Sequence, residues 1–326
     1  MRPGIEDYFA RSCYAAPDRI LVATALTDLE YLAPQAVAQA EAAQAELVFV
    51  HAIAPDAPPA KATFYNPLKA DRDARLSLEV LARHIRVRNI PCSTLVRHGE
   101  PSQVIEDVLR EKSAGRLIIG TRASADAVTG SMGSVAGQLL LQTPVPVCTL
   151  PFKGPDASIA STPLRRQQSG LGLGRIETPA AILYPIGEHG PHPEGIRFAL
   201  DLAQYLHTEL ILLQISAPGR HSADPLATTC SAGLWPRVRH ISGTDASAGA
   251  LLRSVYETGA GMLMIEAPPS LGGSMTASAT LVELVAQAPC PVLTLPVLPS
   301  SRNHPDFHIL SGTHSDSVSH SIFGTH

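Results

Sequence analysis

Apolar residues along this chain fall into two alternating rhythms: short β-rich runs, and longer stretches that repeat every three or four positions. Residues 20–24 (Ile-Leu-Val-Ala-Thr) are the first run, and Leu29, Leu32, Ala33, Ala36, Val37 and Ala40 follow at helical spacing. Thr27 lies three residues before Glu30, the spacing of a capping box, which predicts the start of that helix. Residues 47–50 predict a second strand closed by His51, which is read as a packed core histidine. A second amphipathic helix is expected over 68–88, with Leu76, Leu78, Val80, Leu81 and Ile85 on its apolar face. Residues 93–96 predict a third strand, and Gly99-Glu100-Pro101 turns the chain into a helix carrying Val104, Ile105, Val108 and Leu109 on one side. Strands four and five are expected over 117–119 and 145–150, with a helix over 134–141 between them. Such alternation with short connections predicts a parallel sheet covered on both faces.

The order then recurs. Residues 143–151 (TPVPVCTLP) reappear as 288–296 (APCPVLTLP), identical at six of nine positions and offset by 145. Residues 116–119 answer to 262–265 at an offset of 146, 46–50 to 209–213 at 163, and 19–22 to 181–184 at 162. Kept order predicts a duplication. The falling offset means that the second copy lacks about 18 residues between its second and third strands, where helix two should be. Strands of that copy are expected over 182–185, 210–215, 238–241, 263–265 and 292–295. The predicted fold is therefore α/β, two tandem doubly wound, mostly parallel five-stranded sheets. A first domain spans 18–152, a linker rich in Pro, Gly, Ser and basic residues 153–178, and a second, degenerate domain 179–297. The Ser- and His-rich tail, 298–326, is expected to be disordered. A lone sheet spanning both halves would count against this reading.

Length agrees with two domains, because 326 residues is about twice the ~150 of a typical one. A net charge of −4 gives no electrostatic reason to expect a nucleic acid or an anionic membrane as partner. The first residues lack the apolar core of a signal peptide, and no run approaches the ~18–20 apolar residues that a bilayer span needs. Five scattered cysteines, never paired as C-x-x-C, fit a reducing cytoplasm better than a disulfide framework. Cys148 and Cys290 lie in apolar runs and are expected to be core residues.

Candidate chemistry follows strand four. Gly120 ends the strand, and a loop of small residues leads through Gly130 and Ser131 to Gly133-Ser134 at a helix start. Main-chain N–H groups and a hydroxyl there would face an anion, helped by the helix dipole. In an open α/β sheet the ligand crevice lies where strand order reverses, so 24–27 and 120–135 are expected to form its walls. The structural alternative is that Gly133-Ser134 only starts a helix.

These residues resemble the universal stress protein family, particularly its tandem members. The family pattern is Gly, two residues, Gly, nine residues, Gly-Ser/Thr; here Gly120 and Gly133-Ser134 match, while Ala123 replaces the second glycine. The resemblance covers 18–151 well and 179–296 more faintly. It implies an adenine nucleotide α-hydrolase-like fold and a cytoplasmic stress-response role without turnover. It also implies weak ATP or AMP binding by the first copy, at Thr24, Ala25, Ala52, Gly120, Gly130, Ser131, Gly133, Ser134 and Val135. The family's strand-one Asp falls on Ala25; Asp28, three residues on, is assigned to the helix cap instead. In the second copy the corresponding positions are Gly187, Glu266 and Ser278-Ala279, and a carboxylate where phosphates should rest is repulsive. Family members pair their fifth strands, so 145–150 and 292–295 are expected to pair within the chain or across a homodimer.

Other motifs weigh less. Gly170-Leu171-Gly172-Leu173-Gly174 has no strand before it and reads as linker. His189, His192 and the tail histidines (His304, His308, His314, His320 and His326) lack a supporting ligand cluster, and no metal site is expected. No nucleophile elbow or phosphate-binding lysine motif is present, which argues against an enzyme. Two alternatives stand beside nucleotide binding: a scaffold module with decayed ligand sites, and a slow nucleotide hydrolase.

Overall fold

The computed structural model describes residues 17–55, 67–121, 132–151, 165–167, 176–187, 193–215, 237–267 and 275–296. Its first half runs β1 (Arg19–Ala23), α1 (Leu29–Ala43), β2 (Glu46–Ile53), α2 (Pro67–Arg86), β3 (Cys92–His98), α3 (Pro101–Lys112), β4 (Arg116–Gly120), α4 (Ser134–Gln142) and β5 (Val147–Leu150). Two short strands, β6 (Arg165–Gln167) and β7 (Ile176–Thr178), form an antiparallel ribbon inside the segment expected to be linker alone. The second half runs β8 (Ala181–Ile186), α5 (Pro193–Tyr205), β9 (Glu209–Ile215), β10 (Val238–Gly243), α6 (Ala248–Thr258), β11 (Met262–Glu266), α7 (Met275–Gln287) and β12 (Val292–Leu295).

The two expected sheets are not separate. One ten-stranded sheet runs β10-β9-β8-β11-β12-β5-β4-β1-β2-β3. Each half nevertheless keeps its own five strands together, all parallel and in the same order outward from the middle. At the centre β12 and β5 pair antiparallel, with Leu293 opposite Cys148. The Thr149 hydroxyl donates to the Val292 carbonyl at 3.1 Å across this seam. Both strands are buried throughout, so neither presents the open edge that a lone five-stranded sheet would.

Strand runs are apolar on both sides because helices cover both faces. Helices α1, α2 and α5 lie over one face, and α3, α4, α6 and α7 over the other. Matching close approaches recur in the halves. A Cβ on Gly115 would sit 3.0 Å from Pro17, and one on Gly261 would sit 3.0 Å from Pro179. Any larger residue would push the turn before β4 or β11 away from the start of its neighbour.

Three local expectations fail. Leu76 and Val80 point outward, 64% and 50% exposed, because Ala74, Leu78, Ala82 and Ile85 already define the inward stripe of α2. The β2 strand continues past His51 to Ile53, paired with β3 throughout, so the histidine sits within it, only half-buried. Helix α1 begins at Leu29 with Asp28, not Thr27, at its N-cap position. Cys148 and Cys290 are buried, as expected of core residues.

Candidate functional site

Strand order reverses in the first half between β4 and β1, which are parallel neighbours with Ala23 opposite Ile119. Thr24 and Gly120 are therefore adjacent at the carboxyl ends of their strands, where the crevice rule places a ligand. Thr24 is buried, and its N–H donates to the Val50 carbonyl at 3.0 Å. Ala52 lies two residues further along β2, half-buried and opposite Arg97 of β3.

The strand-one loop folds onto itself. Asp28 occupies the N-cap position of α1, but its carboxylate makes no capping bond. It turns back to accept from the Thr24 hydroxyl and from the Ala25 N–H, at 3.1 Å to Oδ1 and 3.2 Å to Oδ2. Leu26 adopts φ 71°, and its N–H donates to the Thr24 hydroxyl at 2.9 Å. A left-handed leucine costs roughly 1–2 kcal/mol, and these bonds hold it there. His51 Nδ1 lies 2.9 Å from the Thr24 carbonyl oxygen and donates to it. Sequence reasoning missed this Thr24–Asp28–His51 group and assigned Asp28 to the cap. The available signal was the Thr-x-x-x-Asp spacing across a turn, read together with the parallel register that sets His51 beside Thr24.

Burial raises the Asp28 carboxyl above the ordinary range; the bonds from Thr24 and Ala25 and the proximity of His51 oppose the shift. The Tyr31 hydroxyl is likewise pushed up, first by burial and then by the Asp28 charge.

The opposite wall is the start of α4. Gly133 is its N-cap, with extended backbone, and Ser134 is its first residue. The Gly133 N–H donates to the carbonyl of buried Thr121 at 2.9 Å, tying the helix start to the end of β4. Ser134 is exposed, while Val135 packs at the edge of the core. Among the described residues, a Cβ added to Gly133 would meet only the Thr121 carbonyl oxygen, at 3.6 Å, an ordinary contact. Neither its backbone nor packing against the described residues demands glycine there. Gly130, Ser131 and Ala123 lie outside the described residues, as do His189, His192, residues 168–175 and the tail.

The corresponding place in the second half is filled. The Tyr184 hydroxyl donates to the Glu266 carboxylate, joining the end of β11 to β8. Both groups press on Gly195 of α5, where an added Cβ would collide with each. Gln214 donates to the Gly187 carbonyl at 2.6 Å. Ser278 and Ala279 lie inside α7, which begins at Met275, so they do not open a helix. Among the described residues no cluster of three metal-ligating side chains occurs, and no helix is long and apolar enough to cross a membrane.

Residues 17–151 match the universal stress protein family model. No functionally curated protein matches the sequence. Among solved structures, the chain is similar to a universal stress protein from Archaeoglobus fulgidus at 16% identity and a TM-score of 0.63, covering 88% of this chain and 98% of that one. It is also similar to a functionally unknown protein from Pseudomonas aeruginosa at 16% identity and a TM-score of 0.59, covering 87% and 94%. At these identities the likeness is one of fold, and it takes in both halves. The residues of the candidate site that are described, from Thr24 to Val135, thus lie within the segment, 17–151, that is similar to the universal stress protein family.

Proposed function

We propose that this chain is a cytoplasmic binding protein of the universal stress type, in which only the first half takes an adenine nucleotide, ATP or AMP. The second half is read as a degenerate copy that completes a pseudo-dimer through the β5–β12 seam. The observation that carries the reading is Gly133. The described residues around it leave room for a side chain, yet glycine stands at a helix start tied to the end of β4, where a Cβ would hold a phosphate away from the main chain. Titration calorimetry of the full chain with ATP and AMP is expected to give weak, single-site binding, lost in Gly133→Asp with the fold intact. No heat from wild type at millimolar nucleotide would overturn it. The buried thiols of Cys92, Cys148 and Cys290 favour the reducing compartment.

A second reading, an interaction module without a small ligand, is favoured by Asp28. Its carboxylate is taken up by Thr24 and Ala25, so the strand-one loop offers a nucleoside no free carboxylate among the described residues.

A further inference from the structure

Away from the strand ends, the halves also meet at a cavity of about 20 Å³ between α1 and α5. Gln39 and Arg116 of the first half line it, facing Phe198, Asp201 and Tyr205 of the second. Arg116 is 4% exposed, yet no carboxylate pairs with it among the described residues. Nη1 donates to Gln39 Oε1 at 3.1 Å, the guanidinium stands 5.5 Å from the Phe198 ring centre, and Nε has no partner. Gln39 is itself fixed, because its Nε2 donates to Cys148 Sγ at 3.2 Å. Burial draws Arg116 down to about 10, which leaves it cationic at neutral pH. A buried cation without counter-charge is strongly unfavourable.

We propose that a halide-sized inorganic anion, chloride under physiological conditions, binds Arg116 in this cavity and ties the two halves together. The cavity, about 20 Å³, is on the scale of one small solvent molecule, which suits a monatomic anion. Gln39 takes one Nη1 hydrogen and Nε is sealed off, so the rest of the guanidinium, which lines the cavity, supplies the charge-assisted bond to the anion. Because both halves form the walls, an anion held there stabilises their docking by mass action. Asp201 is the one like charge on the wall; it is exposed and paired electrostatically with Arg197 instead.

The test is the melting temperature of the full chain at constant ionic strength, with sodium bromide or chloride replacing sodium gluconate, together with anomalous diffraction from bromide-soaked crystals. A rise of about 2–4 °C with halide is expected, with a bromide peak beside the Arg116 guanidinium. Arg116→Met, which keeps the length of the stem over Phe198, abolishes the halide dependence; Asp201→Asn retains or strengthens it. A melting temperature indifferent to halide overturns the proposal, whether the peak is absent (a water fills the cavity) or present (an adventitious ion only). Halide dependence that survives in Arg116→Met does so too. Dependence that appears only in Asp201→Asn would make Asp201 the counter-ion and would likewise overturn it. Should Arg116→Met fail to fold, the bromide peak and the wild-type halide response decide.

Discussion

The two halves wind the same strand order around the same kind of gap and fill it in opposite ways. Gln44 after α1 and His207 after α5 are both left-handed, and their separation of 163 equals that between Glu46 and Glu209. This register places Leu32 and Gly195 at equivalent positions, while the strands set Val22 against Tyr184 and Gly120 against Glu266. The first half thus puts bulk on the helix and a glycine at the end of β4. The second has a glycine on the helix and two large polar side chains on the strands, hydrogen-bonded to one another. The consequence at the surface differs, since one arrangement leaves a glycine-edged crevice and the other ends β11 on a carboxylate.

The largest test of this comparison exchanges the fillings. Gly195→Leu alone overpacks the second half and is expected to cost about 3 kcal/mol in urea denaturation. Adding Tyr184→Val and Glu266→Gly, the first half's own residues, should recover most of that loss. A neutral single variant would show that the two gaps are not equivalent. A smaller effect concerns ligand affinity. Ala25→Asp supplies a charged acceptor beside Thr24 and is expected to tighten AMP or ATP binding tenfold to a hundredfold, as ~1.5–3 kcal/mol implies. Titration calorimetry reads the gain, and Gly187→Asp in the second half should produce no binding.

The smallest effect is a pH slope. Because burial raises the folded Asp28 carboxyl above its ordinary 3.8, the folded state holds its proton more tightly than the unfolded chain. The associated stability is present in full below the unfolded value and is lost as pH rises through the folded one. Asp28→Asn removes this term, so denaturation of wild type and variant compared from pH 3.5 to 7 should show wild type losing ground as pH increases. Parallel profiles would mean that the bonds from Thr24 and Ala25 cancel the effect of burial, and wild type gaining with pH that they outweigh it.

Much of this was legible in the chain itself. Nine of the ten main strands differ from the pattern by a residue or more at one end or both (eight extended or shifted, the fifth shortened), but every one is present, because an apolar run covered on both faces is hard to mistake. Helix faces were less legible: the α2 pattern included Leu76 and Val80 with the buried residues, since spacing alone does not say which of two stripes meets the sheet. At the site, Thr24, Gly120 and Gly133 converge as their spacing implied. Asp28 escaped because N-cap preference and a turn-back to the preceding strand use the same residue type at the same place.

By itself the sequence determined the strand and helix order of each half and the places of Gly120 and Gly133 at the end of β4 and the start of α4. These follow from local propensity and apolar periodicity, which act over a few residues. Tertiary structure alone decided that the halves share one sheet, that Tyr184 and Glu266 close the second gap against Gly195, and that Arg116 is buried facing Phe198. Each of these depends on residues more than 80 positions apart, and only the packing of whole elements brings such distant groups into contact.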